Sequence, residues 1–222
     1  MLSGYVEWLE ETGADQDLEV LGTETYVEVE LLADTVAGGP VKLLSKLDAP
    51  VRRVSDGAQL AFEHKTVSSL TSPLPLLKLD TQFLTEHLAR YLHLQEQGAT
   101  AEEAQQSCHG VLWNALRKVK RTPAARPPFY AREDVPHNVH ELHHHWQHVL
   151  ATAREIQRTR FELDAGNDPH DICPPTPTHD CRWDCPFFKV CVMADDHSDA
   201  EGAVEALYQR RDPLERYAGA AR

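Results

Sequence analysis

The sequence predicts an α/β (α+β) fold: a central mixed β-sheet flanked by helices, with a C-terminal cysteine-cluster clasp. Three observations carry this reading. Residues 18–67 alternate apolar and polar side chains between turn signals, as half-exposed strands do. Residues 76–97 place apolar side chains at helical spacing, and residues 137–160 read as a second long helix. Four of the five cysteines crowd between Cys173 and Cys191, which in a reducing compartment suits a metal better than disulfides. At 222 residues the chain can bury one substantial core. It is read as a single domain over 1–222: a β-meander over 1–67, helices and a basic segment over 68–160, the cysteine cluster over 161–197, and a helix with its tail over 198–222.

In chain order, Leu2 to Glu11 is weakly amphipathic and reads as the end of a helix. Leu18 to Leu32 reads as one strand, with Thr25, Val27, Val29 and Leu31 on one face against Tyr26, Glu28 and Glu30. Gly38-Gly39-Pro40 is a turn. Val41 to Val54 and Ala58 to Val67 follow as strands joined through Ser55-Asp56-Gly57. Ser68 to Pro75 is a loop. Leu76 to Gln97 is a helix, with Leu76, Leu79, Phe83, Leu84, His87, Leu88, Tyr91 and Leu92 at helical spacing, and stops at Gly98. Thr100 and Glu103 form a capping box for a short helix to Ser107. Cys108 behaves as a small apolar residue. By pattern alone Gly110 to Val119 is strand or helix. Arg126-Pro127-Pro128 is extended, and Phe129 to Val135 is a strand. On the long helix His140, His144 and His148 share one face. Without an HExxH arrangement they read as a solvated surface. Ala200 to Arg211 is a last helix.

Net charge is −13, which argues against a nucleic-acid partner until the distribution is read. Residues 1–34 hold ten acids and no Lys or Arg, so the remainder carries only −3. From Val111 to Ala131 the basic residues Arg117, Lys118, Lys120, Arg121 and Arg126 meet no acid, and such a patch engages phosphates despite an acidic total. No apolar run is long enough to cross a bilayer, and the N-terminus lacks signal-peptide regions. The expectation is a cytoplasmic protein with no membrane partner.

The chemistry concentrates in Leu60-Ala61-Phe62-Glu63-His64-Lys65-Thr66-Val67. On a strand, Glu63 and Lys65 project from one face while Phe62, His64 and Thr66 project from the other. A carboxylate and an ammonium side by side on a buried strand are costly unless something uses both. Asp48, upstream of the turn, can meet Glu63 across the sheet. Two carboxylates suit a hard cation such as Mg²⁺ or Mn²⁺, with water and substrate phosphate completing its shell. Lys65 can then orient the attacking water or stabilise charge on the phosphate. An exposed salt bridge is the plainer alternative.

Asp48 followed after a hairpin by Glu63-x-Lys65 resembles the PD-(D/E)XK nuclease core. More narrowly it is similar to the RecB-like iron–sulfur exonucleases, including CRISPR-associated and phage relatives. The segments Phe62 to Thr66, Gly110 to Lys118 and Cys181 to Cys191 carry the likeness. The resemblance implies a restriction-endonuclease-like core with Gly110 to Val119 as a strand. It implies Asp48, Glu63 and the His64 carbonyl around Mg²⁺ or Mn²⁺, and Lys65 as the catalytic lysine. Gln82 matches the glutamine of a Gln-x-x-x-Tyr helix signature, although Glu86 stands where tyrosine is expected.

Cys173-x7-Cys181-x3-Cys185-x5-Cys191 offers four thiolates to tetrahedral zinc or to a [4Fe–4S] cluster, and spacing alone does not separate them. Trp183, Phe187 and Phe188 would give the site an apolar shell. The resemblance implies iron–sulfur, with Cys181, Cys185 and Cys191 as the family's C-terminal triplet. The family's first cluster cysteine lies in preceding helices that this sequence does not show. Cys173 would replace it, in a shortened relative or one whose start lies upstream. The implied activity is exonucleolytic hydrolysis of DNA at linear or single-stranded ends, in phage or bacterial recombination. The implied setting is the cytoplasm, a host's if the chain is phage-encoded, with a recombination or replication protein as partner and room for an oligomer. The alternatives are a weakly active or inactive DNA-binding or assembly module of the same fold, and a zinc-stabilised interaction protein.

Overall fold

Strand pairing in this chain is organised by a corner that two strands turn together. The structure is a computed structural model that describes residues 2–32, 40–120, 122, 124–196 and 198–212. The expected run Leu18 to Leu32 is broken into β1 (Leu18–Val20) and β2 (Thr25–Leu32), and Val41 to Val54 into β3 (Val41–Leu47) and β4 (Ala49–Arg53). β1 pairs antiparallel with β4, whereas β2 pairs antiparallel with β3 in a separate two-stranded sheet. Both breaks fall at one place, where the Glu24 N–H donates to the Asp48 carbonyl at 2.7 Å. Glu24 sits there at φ 49°, a left-handed conformation rare for a side chain that is not glycine. Alternation is a local signal and is unchanged across such a corner, so the sequence shows continuous strands where the chain switches sheets. The meander expected over 1–67 is corrected accordingly. The turn at Gly38-Gly39 lies outside the described residues.

β5 (Gln59–Val67) and β6 (Cys108–Arg117) are the centre of a five-stranded sheet ordered β1-β4-β5-β6-β7, with β7 at Tyr130–Pro136. β5 and β6 are parallel and the other neighbours antiparallel, which makes the sheet mixed. β6 is buried from Gly110 to Leu116. A strand covered on both faces loses its alternation, and this is why the pattern left it open between strand and helix. At Gly110 φ is +144°, and a Cβ there would meet the Val135 carbonyl oxygen at 2.3 Å.

The connection from β5 to β6 holds a 3-10 turn at Leu74–Leu79, then α2 (Thr81–Glu96) and α3 (Ala101–Ser107), α1 being Leu2–Thr12. The Asp80 carboxylate caps α2 by accepting from the Gln82 N–H, and the Thr100–Glu103 capping box forms as expected. α2 lays Phe83 and Ala89 on one sheet face, among Val27, Val29, Leu47, Val111, Trp113 and Ala115. The other face gathers Ala49, Val51, Leu60, Phe62 and Leu112. There Tyr5 and Trp8 of α1 stack near Tyr130, with centroids 5.5 and 5.8 Å away. Burying each of these large side chains contributes about 1.5–3 kcal/mol.

The chain divides into two compact units, Met1–Ala153 and Arg154–Arg222, and α4 (Val139–Asp164) runs through the division. The first unit holds both sheets. In the second, α4 is followed by a single helical turn α5 (Pro169–Ile172), a 3-10 turn His179–Arg182, α6 (Phe188–Asp195) and α7 (Ala200–Leu207). The Tyr208 hydroxyl donates to the Pro186 carbonyl at 2.5 Å, and its ring stacks on Phe187.

Candidate active site

Asp48 sits at the corner between β3 and β4, half-buried. The register pairs Ala49 with Phe62, so the next step along the ladder brings Asp48 level with Glu63. The His64 N–H donates to Asp48 Oδ2 at 3.0 Å. The carboxylate expected from the upstream strand is thus fixed beside the strand that carries Glu63 and Lys65.

Glu63 is buried at 5% exposure, so its charge must be matched by close partners. Lys65 Nζ lies 2.5 Å from Glu63 Oε1, confirming that the two share a face. Gln82, in the first turn of α2, joins them. Its Oε1 accepts from Lys65 Nζ at 2.8 Å, and its Nε2 donates to Glu63 Oε1 at 2.8 Å. The same Nε2 donates to Glu86 Oε1 at 2.7 Å. Gln82 and Glu86 are four apart, so they lie one above the other on one helix face.

Glu86 is the part of the site that sequence reasoning missed. It is 3% exposed, and its Oε2 is buried with no hydrogen-bond partner. Burial and then the neighbouring Glu63 carboxylate push its pKa up to about 8, the Gln82 hydrogen bond and the Lys65 charge opposing them. The Gln82-x-x-x-Glu86 spacing was the available signal. In the family signature that position is a tyrosine, so the pattern marks Glu86 as a departure, whereas in the fold it is an acid close enough to feel the Lys65 charge.

His64 turns its ring to the opposite face. Its Nδ1 is hydrogen-bonded to Asn114 Nδ2 at 3.0 Å, and the ring lies 4.5 Å from that of Phe62. Only the backbone of His64 belongs to the carboxylate side. Asn114 is fully buried and accepts from Arg132 Nε at 3.1 Å. Arg132 also donates to the Ala14 carbonyl, Asp15 and the Tyr5 hydroxyl. This buried network ties α1 to the sheet.

The basic segment begins where β6 ends. Arg117 donates to the Arg126 carbonyl at 3.1 Å, and the Lys118 N–H donates to the Val67 carbonyl at 2.7 Å. Lys118, Lys120 and Arg126 are exposed, and Arg121 lies outside the described residues.

In the second unit Cys173 follows α5, Cys181 lies in the 3-10 turn, Cys185 in the loop after it and Cys191 in α6. All four are free thiols, Cys173 and Cys191 exposed, Cys181 and Cys185 half-buried. The Thr178 N–H donates to Cys181 Sγ at 3.3 Å, a contact that suits a thiolate ligand. The apolar shell expected from Trp183, Phe187 and Phe188 is not closed: these rings are 75%, 50% and 43% exposed. Cys108, in the first unit, is buried and its thiol is pushed up to about 12 by burial, which suits packing rather than ligation.

Among the described residues no three His, Cys, Asp or Glu side chains are disposed together to hold a metal ion. For Mg²⁺ this is no obstacle, because one or two carboxylates, waters and substrate phosphate make its usual shell. Asp48 and Glu63 fit that demand, and the unpartnered Glu86 oxygen is a further donor nearby. The four thiols suit iron–sulfur or zinc in kind but do not converge, so a metal would have to gather them as it bound. No protein-family model matches the chain, and no curated protein matches it.

Proposed function

We propose that the chain is a Mg²⁺- or Mn²⁺-dependent deoxyribonuclease that hydrolyses phosphodiester bonds from DNA ends, in the manner the PD-(D/E)XK resemblance implies. One observation carries the reading: Glu63 and Lys65 of β5 and Gln82 of α2 form a closed hydrogen-bonded set, with Asp48 held to β5 by the His64 N–H. A structural ion pair has no need of the second carboxylate or the bridging amide. Asp48 and Glu63, with the His64 carbonyl, would hold the cation. When bound it supplies Lewis-acid polarisation of the phosphoryl oxygen and a more acidic water. Gln82 holds Lys65 against Glu63, so the ammonium is preplaced beside the carboxylates. There it orients water for in-line attack and offsets the charge that builds on the phosphate. Water oxygen bonds to phosphorus, the bond to the leaving sugar oxygen breaks, and the proton from water ends on that oxygen or in solvent. Arg117, Lys118, Lys120, Arg121 and Arg126 are assigned to the DNA backbone. A C-terminal [4Fe–4S] centre, or zinc in its place, is retained as a structural element of the proposal and takes no part in the chemistry.

Labelled linear DNA tests the assignment. Asp48→Ala and Glu63→Ala each lose metal-dependent cleavage by at least about a hundredfold while remaining folded, a loss in the range for removed charge-stabilising groups. Full activity in either variant removes the site.

A further inference from the structure

We propose that a cavity at the C-terminal ends of β5 and β6 is a phosphate subsite for the nucleic-acid strand, apart from the reacting position. The inference rests on the nuclease reading and extends it. The cavity is about 230 Å³ and is lined by Ser68, Ser69, Leu70, Thr71, Arg117 and Pro128. At about 30 Å³ per liquid water it has room for a phosphate group and its first waters.

Topology places it. β5 and β6 are parallel, and Val67 pairs with Arg117, so both strands end at one edge. Side chains two apart share a face. Glu63, Lys65 and Val67 therefore form one row, and Trp113, Ala115 and Arg117 the row beside it. The rows lead from the carboxylate past the ammonium to the guanidinium. Two strand residues advance about 7 Å, which exceeds the axial rise of about 3.4 Å per nucleotide and is on the scale of one step between neighbouring phosphates of a strand winding about its axis. A strand whose reacting phosphate sits near Lys65 brings a later phosphate to Arg117.

The lining selects an oxyanion. Among the described residues the lining carries three hydroxyl side chains and one guanidinium, and no carboxylate. Arg117 spends one N–H on the Arg126 carbonyl, leaving the rest of its planar fork to grip an anion. The loop is held in shape before any ligand arrives. Leu70 is buried in the main core, the Ser72 N–H donates to Ser69 Oγ at 3.2 Å, and the Ser69 and Thr71 hydroxyls lie 3.4 Å apart.

The test is fluorescence anisotropy of a labelled linear duplex across a KCl series, with Ca²⁺ replacing Mn²⁺. Wild type is compared with Arg117→Lys and with the double variant Ser68→Ala/Thr71→Val, neither of which changes net charge. Both variants weaken binding about tenfold with an unaltered salt slope. Arg117→Ala also lowers the log–log slope by about 0.9. Duplexes with a 5′-phosphate or a 5′-hydroxyl separate the sources. A loss on both assigns the cavity to a backbone phosphate, and a loss confined to phosphorylated ends assigns it to a terminal one. Wild-type affinity in both charge-conserving variants overturns the subsite. Mn²⁺-dependent cleavage is scored separately on the same proteins. Active wild type with unaltered variant binding overturns the subsite alone. Cavity-dependent binding without wild-type cleavage supports the subsite and overturns the nuclease reading.

Discussion

Glu86 shows how one buried acid can set the pH response of a site. Its folded pKa is raised to about 8 from an ordinary 4.5. A carboxyl held neutral by the fold contributes stability below its unfolded pKa and loses it as pH rises toward the folded value. Metal-free protein should therefore lose stability between about pH 4.5 and 8 through this group, with a slope of up to about 1.4 kcal/mol per pH unit. Glu86→Gln keeps the size and an acceptor for Gln82 but has no charge to develop. Thermal denaturation across that range should show a flatter decline in the variant. An identical decline in both proteins would mean that Glu86 does not titrate there. The pairing of Glu63 with Lys65 was legible in the sequence because a period of two is a property of any strand. The closing of Gln82 onto both was only half legible, since helix spacing names the face but not what it meets.

At the scale of elements, α2 carries a second pH signal on its core side. His87 is 1% exposed. Its Nε2 bonds the Cys108 carbonyl at 3.0 Å, and its Nδ1 lies 3.5 Å from His137 Nδ1. Burial lowers His87 to about 4, against the Cys108 carbonyl, which favours the charged form; His137 and His109 lower it further and Glu141 raises it. A histidine depressed in this way contributes stability above about pH 6.5 that is lost as pH falls toward 4. His137, also lowered by burial, adds to the same window. His87→Gln retains a donor for the carbonyl, so its stability should fall less between pH 6.5 and 4 in denaturant titrations. A loss as steep as wild type would assign the acid sensitivity elsewhere. Gly110 tests the β6–β7 pairing. Gly110→Ala combines a strained φ with a Cβ 2.3 Å from the Val135 carbonyl, and should cost about 1–3 kcal/mol or more. A midpoint within about 0.5 kcal/mol of wild type would show that the strands separate there without penalty. These elements also mark where sequence reading stops. The α3 cap was legible from Thr100 and Glu103 alone. The corner at Glu24 and Asp48 was not, because it is made by two breaks meeting across 24 residues. That Asp48 lies on a run joined to that of Glu63 by a turn is legible in the sequence, and the β4–β5 register is the reason it comes level with Glu63.

Over the whole molecule, charge is arranged rather than merely negative. The acidic first segment is met by basic strand residues: Glu19 by Arg52, Glu28 by Lys42, Glu24 by Lys46 and Asp15 by Arg132. The first three are exposed on both sides and contribute little stability, whereas Arg132 is largely buried; together they leave Lys118, Lys120 and Arg126 as an exposed basic stretch beyond β6. The thiols form a separate question within the second unit. If they gather a metal, Cys173→Ser, Cys181→Ser, Cys185→Ser and Cys191→Ser each lose it and expose residues after about 165 to protease, while Cys108→Ser keeps a full complement. Metal analysis of anaerobically purified protein also identifies it: brown protein absorbing near about 400 nm indicates iron–sulfur, colourless protein with one zinc the alternative. A Cys173→Ser protein with full metal content would place the fourth ligand outside this set.

The central claim is that Lys65, held by Gln82 against Glu63, serves phosphodiester hydrolysis. Single-turnover cleavage of labelled linear DNA with Mn²⁺, by wild type and Lys65→Ala at matched DNA occupancy, tests it most directly. The account predicts cleavage by wild type only when metal is present, and a rate for Lys65→Ala lower by about 10²–10⁴ with DNA binding little changed. Metal-dependent cleavage by Lys65→Ala at the wild-type rate, or no cleavage by wild type, would contradict it.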